Sequence, residues 1–279
     1  MDLAELRPGV ATEIMRGVRR VLAPNASAMT GPGTNSYLIG DPVWAVVDPG
    51  PDDPRHFDAL LALAPQARWI LVTHTHRDHS PLAMRLAAAT GASLVGRRGP
   101  PDGRQDEHFQ PDVVPQRDQR FAAAAASKAL RAIDTPGHAS NHVCYLLEDD
   151  GLLFSGDHIL DGMTPVILAP DGDMQHYLEA LQRLRELPLH AIAPGHGRLL
   201  REPIAVIDAL IAHRLKREGK VLAALASCGR ADLEQLLAVV YADTPLALHR
   251  LARLTLEAHL IKLEREGRAA RDGELWFGS

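Results

Sequence analysis

Short apolar runs bounded by turn residues fill the first two thirds of the chain. Trp69-Ile70-Leu71-Val72, Ala92-Ser93-Leu94-Val95, Leu130-Arg131-Ala132-Ile133, Val143-Cys144-Tyr145-Leu146-Leu147, Gly151-Leu152-Leu153-Phe154 and Ala191-Ile192-Ala193 read as strands. Residues 14–50 read as strands with turns, and Asn25 to Asn35 as a turn-rich loop. Ser36 to Gly40 and Val43 to Asp48 flank Gly40-Asp41-Pro42 as a hairpin. A helix is expected over Pro54 to Leu63. Another should start with Ser80 as cap and Pro81 in its first position, carry Leu82, Met84, Leu86 and Ala87, and stop at Gly91.

From about Arg201 the spacing becomes helical. Ile204, Ile207, Ile211 and Leu215 lie on one predicted helix, and Leu233, Leu236, Leu237 and Val240 on a second. A third is expected to begin at Thr244-Pro245, to carry Leu251, Leu254, Ala258 and Ile261, and to end at Gly267. A tight hairpin at Arg271-Asp272-Gly273-Glu274 then precedes Leu275-Trp276-Phe277. Helices followed by such a hairpin make a winged-helix-like module, which divides the chain at 1–200 and 201–279. Residues 97–120 form an irregular excursion, read as a lid, in which His108 is a solvated loop residue. The alanine run Ala122 to Ala126 carries no function.

Composition narrows the class. The 279 residues are 46% hydrophobic and 23% charged with net charge −5, an ordinary globular balance without the basic field of a nucleic-acid or anionic-membrane binder. Cys144 and Cys228 are expected as buried, reduced thiols. No apolar leader follows Met1 and no run approaches a membrane span, so a cytoplasmic protein is expected.

The candidate chemistry sits at strand ends. Thr73-His74-Thr75-His76-Arg77-Asp78-His79 follows the strand ending at Val72. His74 and His76, two apart on extended chain, point to one side, whereas Asp78 and His79 come after the bend and can face a second point. Asp48, His138, Asp157 and His196 likewise follow apolar strands, the last three close behind a glycine. Strand ends that send ligands from separate loops to one edge are how a sheet scaffold makes a site. His142 and His158 adjoin these groups and read as packed or solvated histidines.

His-x-His-x-Asp-His at 74–79, Thr-Pro-Gly-His at 135–138, Ser-Gly-Asp at 155–157 and Pro-Gly-His at 194–196 resemble, in order, the metallo-β-lactamase superfamily. The lactamase-beta-2-like branch, with its C-terminal winged-helix-like domain, is the most similar. The resemblance implies an α+β fold, an αββα sandwich. It implies a metal pair, with His74, His76 and His138 on one ion, Asp78, His79 and His196 on the other, and Asp157 bridging. Two zinc ions suit imidazole and carboxylate ligands, and iron or manganese is compatible. Asp78 would orient the water activated between the ions, with Asp48 and Thr73 supporting the ligands.

The fold hosts many chemistries. Exported β-lactamases of this family lack the bridging aspartate, and its diiron oxygen reducers have Glu where His76 stands; both are disfavoured. The closest resemblance implies hydrolysis of single-stranded RNA, and the wider family implies a small-molecule thioester or ester. Arg250, Arg253, Lys262, Arg265, Arg268 and Arg271 favour RNA slightly, although Glu257, Glu264 and Glu266 interleave with them and the net charge is acidic. Mononuclear-iron persulfide dioxygenation and non-catalytic nucleic-acid binding with structural metals are the other readings.

Overall fold

The computed structural model describes residues 6–124 and 128–279. The first five residues, and Ala125 and Ala126 of the alanine run, lie outside them. Packing divides the chain into two units. The first comprises Met1–Thr135, Asn141–Pro165 and Leu187–Pro203; the second comprises Pro136–Ser140, Val166–Glu186 and Ile204–Ser279.

The first unit holds two sheets. In chain order its elements are β1 (Ala11–Met15), β2 (Val18–Leu22), β3 (Asn35–Gly40), β4 (Val43–Val47), α1 (Pro54–Leu63), β5 (Trp69–Leu71), α2 (Leu82–Thr90), β6 (Ser93–Val95), β7 (Arg120–Ala122), β8 (Ala129–Asp134), β9 (Val143–Leu147), β10 (Leu152–Gly156) and β11 (Ala191–Pro194). β1 to β6 form one sheet in sequence order, and the other runs β11-β10-β9-β8-β7. A core including Tyr37, Val47, Leu71, Phe121, Tyr145 and Phe154 fills the space between the sheets. The far face of the first sheet packs Leu38, Val46 and Ile70 against Phe57 and Leu60 of α1 and Leu82 and Leu86 of α2.

Strand direction decides where chemistry can sit. β4, β5 and β6 are parallel, so Asp48 and the loop after Leu71 leave the sheet at one edge. β10 and β11 are also parallel, which brings the segments after Gly156 and Pro194 out side by side. These strands are buried on both faces, which is why they read as unbroken apolar runs rather than as alternation. Tyr37 Oη donates to the Pro194 carbonyl at 2.7 Å and Tyr145 Oη to the Val72 carbonyl at 3.1 Å. Both phenols thus fasten one sheet to a site-bearing turn of the other.

Some local expectations need correction. α2 begins at Leu82 with Pro81 in the cap position, and Ser80 donates instead to Asp106 Oδ2 at 3.0 Å. Gly91 closes α2 in the left-handed conformation expected of it. Cys144 is buried, but Cys228 is exposed because it ends a helix with its apolar neighbours turned elsewhere. The excursion at 97–120 is a strap rather than a free flap. Asp106 N–H donates to the Thr75 carbonyl at 2.6 Å, Thr75 Oγ1 donates to Gln105 Oε1 at 2.8 Å, and Gly99 N–H reaches Thr75 Oγ1 at 3.2 Å.

The second unit contains α3 (Met174–Arg185), nearly all of α4 (Pro203–Cys228), α5 (Leu233–Val240), α6 (His249–Arg265) and the hairpin β12 (Ala269–Asp272) and β13 (Leu275–Gly278). Asp232 and Gln235 cap α5 reciprocally. α6 starts four residues later than Thr244-Pro245 suggests, because Leu246–Leu248 first make a 3₁₀ turn. Leu225, Leu236, Val240, Leu256, Leu260 and Trp276 share its core.

Beside that core lies a buried ion pair. Glu218 accepts from Lys262 Nζ at 2.7 Å and from Arg268 Nη1 at 3.1 Å. Burial pushes its carboxyl up, but the neighbouring His259 and Lys262 outweigh that and bring it from 4.5 down to about 2. Its stabilisation is therefore complete above about 4.5 and is lost as the pH falls toward about 2. Glu218→Ala leaves Lys262 without one partner, and we expect a loss of about 3–5 kcal/mol in urea unfolding. A change of under about 1 kcal/mol, the scale of an exposed pair, would show the cluster to be solvated.

Candidate metal centre

The loop after β5 is anchored from behind by Asp48, the first residue past β4. Asp48 Oδ1 accepts from Thr73 N–H at 2.7 Å, and Oδ2 accepts from Thr73 Oγ1 at 2.7 Å and from His79 Nδ1 at 2.9 Å. Thr73 Oγ1 also meets His74 Nδ1 at 3.0 Å. A hydroxyl has one hydrogen, and here it goes to Asp48, so the imidazole must be the donor. His74 and His79 thereby both commit an Nδ1 hydrogen to this brace, which leaves Nε2 as the nitrogen facing the site. His196 Nδ1 donates to the Gly33 carbonyl at 3.1 Å, with the same result.

The Nε2 atoms of His79 and His196 converge on carboxylates. His79 Nε2 lies 3.5 Å from Asp78 Oδ2 and 3.3 Å from Asp157 Oδ1. His196 Nε2 lies 3.2 Å and 3.4 Å from the same two oxygens. Ligand atoms of Asp78, His79 and His196 fall within 4.8 Å of one another, as do those of His74, His79 and Asp157. His74 Nε2 faces His76 Nδ1 at 2.9 Å, and His76 pairs with Gln105 of the strap in an isolated bridge. His138 belongs to the second unit, where its Nδ1 donates to the Val166 carbonyl at 2.8 Å.

Electrostatics follow from this crowding. Burial, and then the neighbouring His79 and His76, hold His74 well below its ordinary value. Burial also works against His79, but Asp78, Asp157 and Asp48 outweigh it and raise the imidazole well above 6.5. The same opposition lifts His196 to about 9, with Asp157 the main cause. Asp78 is brought to about 2 because His79 and His196 overcome the effect of burial. Two buried carboxylates thus draw protons onto imidazole nitrogens whose tautomers suit metal ligation. A divalent cation meets the same demand, and this donor set fits one.

Beside the ligands, His142 stacks on His74 with centroids 5.0 Å apart, and His158 lies 5.7 Å from His142. Both are buried, as packed histidines would be. The motif spacing marks Gly195 beside His196, but nothing local marks Gln105 or the segment from Gly33 to Asn35, whose partners in the site lie far along the chain. For Asp48 the geometry yields a prediction. Asp48→Asn removes the charge that draws Nδ1–H of His79, and bound metal should weaken by about 10–100-fold. Chelator competition measures it, and unchanged affinity would show Asp48 to be a turn residue only.

Two sheets with histidines and aspartates gathered past their strand ends make a candidate metal centre at one edge of the fold. The chain belongs to the metallo-beta-lactamase superfamily, whose model matches residues 29–196, and the beta-lactamase associated winged helix domain matches residues 233–276. The chain is 33% identical to a beta-lactamase-like protein 2 homolog of Drosophila melanogaster, over 92% of this chain and 91% of that protein. It is 30% identical to a thioesterase of Emericella nidulans, over 78% of this chain and 62% of that one. A metallo-beta-lactamase family protein of Thermus thermophilus superposes with a TM-score of 0.77 at 23% identity, covering 96% of this chain and all of its own. The chain is accordingly a hydrolase-superfamily member with the metallo-β-lactamase fold and a winged-helix domain.

Proposed function

We propose that the protein hydrolyses an acyl thioester at a pair of zinc ions. His74, His76 and His138 would hold one ion and Asp78, His79 and His196 the other, with Asp157 as the ligand they would share. When bound, such ions supply Lewis acidity, lowering the pKa of water toward neutrality and polarising the scissile carbonyl. The chain's own groups do the rest. The Nδ1–H donors of His74, His79 and His196 hold their rings in fixed orientations. Asp78, ionised at neutral pH, takes the proton of the attacking water at the oxygen turned away from His79 and His196, and returns it to the departing thiolate.

The observation that carries the reading is the convergence of His79 and His196 Nε2 on Asp78 and Asp157, with each opposite ring nitrogen committed to another acceptor. For the substrate, the support lies in the cations of the second unit. Arg253 pairs with Glu234, Lys262 with Glu218 and Glu266, Arg265 with Asp173, and Arg268 with Glu218 and Glu266. Phosphate contacts would have to compete with these carboxylates. The thioesterase among the relatives supports the same choice.

Metal-loaded protein is incubated in parallel with S-lactoylglutathione, an acyl-coenzyme A and single-stranded RNA. We expect thiol release that disappears in Asp157→Ala. RNA cleavage that disappears in that variant, without thiol release, would replace the thioester with a phosphodiester. Metal analysis separates the remaining readings, because one iron per chain would point to persulfide oxidation. Two ions with no turnover of any substrate would point to a nucleic-acid-binding module. No helix among the described residues is long and apolar enough to cross a membrane, and a cytoplasmic location is part of the proposal.

A further inference from the structure

A stretch outside the ligand motifs supports the second cluster. Besides the Gly33 carbonyl on His196, Asn35 N–H donates to the Gly195 carbonyl at 2.8 Å. Asn35 Nδ2 donates to the carbonyls of Pro194 at 2.9 Å and Gly197 at 3.0 Å. Between these contacts Thr34, fully buried, forms an isolated bridge with His196 and directs Oγ1 at Asp78 Oδ2, 3.5 Å away.

That hydroxyl is aimed from behind. Thr34 N–H donates to Asn25 Oδ1 at 2.9 Å, and Asn25 Nδ2 donates to Thr34 Oγ1 at 2.9 Å. The first contact fixes which end of the amide is oxygen, because a backbone N–H can only donate. The second fills a lone pair of the hydroxyl, leaving its single hydrogen for another acceptor. Asp78, ionised, can only accept. Asn25 is itself fixed within a closed turn, where Thr30 Oγ1 donates to its carbonyl at 2.6 Å.

We propose that Thr34, aimed by Asn25, is a positioning residue for Asp78. It holds Oδ2 toward His79 and His196 and leaves the other carboxylate oxygen to the attacking water. The inference rests on the proposed function in one respect, that Asp78 is a ligand of the second ion.

Stepwise zinc affinity, measured by competition with a chromophoric chelator, tests it on five proteins: wild type, Asp78→Asn, Thr34→Val, Thr34→Ser and Asn25→Asp. Asp78→Asn identifies the ion that depends on Asp78. Thr34→Val, nearly isosteric, should weaken that same ion by about 10–100-fold and leave the other within about threefold, and Thr34→Ser should restore it. Asn25→Asp keeps the acceptor for Thr34 N–H, but its new carboxylate draws the hydroxyl away from Asp78. The Asp78-dependent ion should weaken about 10-fold there.

Unchanged affinity for that ion in Thr34→Val overturns the proposal. So does equal loss of both ions together with early urea unfolding, which is the behaviour of a purely structural residue. Should Thr34→Val fail to accumulate in folded form, Asn25→Asp decides by the same criterion. A wild type that binds one ion defeats the two-ion reading separately, since comparison with Asp78→Asn still judges Thr34.

Discussion

If the proposed two-ion thioesterase centre is right, Asp157→Ala should abolish thioester turnover and lower the bound metal, while the sheets survive. That is the largest effect we expect. Asp157 Oδ1 lies 3.3 Å and 3.4 Å from Nε2 of His79 and His196 and groups with His74 as well, so it touches both halves of the proposed centre. Deleting a single preorganised donor typically costs about 10²–10³-fold in kcat, and loss of a shared ligand should cost more than roughly 10³-fold. The fold should tolerate the change because Asp157 follows β10 and contributes no ladder bond to it. Without the carboxylate, His79 and His196 lose a cause of their raised pKa and can remain neutral. Metal analysis, circular dichroism and thiol release decide. Full activity in this variant would refute the centre.

Gly195→Ala comes next, and it alters no ligand. A Cβ there would stand 2.5 Å from Asp157 Oδ1 and 2.7 Å from His79 Cε1. The backbone cannot easily retreat, because Gly195 N–H donates to the Gly156 carbonyl and its own carbonyl accepts from Asn35, both at 2.8 Å. The strain should therefore fall on the two side chains. Overpacking of this kind costs about 1–3 kcal/mol of stability. A displacement of about 1 Å among reacting groups costs about 10²-fold in rate, so activity should suffer more visibly than stability. Gly219→Ala is the control. It lies inside α4 with open space around it, and the same substitution there should stabilise by roughly 0.5–1 kcal/mol. Equal behaviour of the two variants would show that Gly195 is not tightly packed.

Much of the scaffold was legible because the strands are short and buried on both faces. Runs such as 143–147 and 69–72 have no polar alternation to confuse them with helix faces, and the Gly40-Asp41-Pro42 turn and the Gly91 stop have local causes. The ligand candidates were legible because each follows such a run. Less was visible where the cause is distant. Ser80 is an ordinary cap by sequence, yet Asp106, 26 residues away, takes its hydroxyl. The strap looked like a lid because Pro, Gly and charge mark irregular chain, and nothing local reveals that Thr75 holds it. Cys228 is exposed although its neighbours are apolar, because composition does not say which face of a helix a side chain occupies. The roles of Gly33 and Asn35 depend on a segment more than 150 residues later, and that of Thr34 on Asp78, 44 residues later.

Asp48, a single carboxylate, restrains His79 directly and His74 through Thr73, so the two halves of the centre share a brace. Under the two-ion proposal, filling one half should stiffen the other through this brace, and by thermodynamic reciprocity each ion should then raise the affinity for its neighbour. At scarce zinc the population would then divide into empty and doubly loaded molecules with few intermediates. Activity should accordingly rise with zinc along a sigmoid rather than a hyperbola.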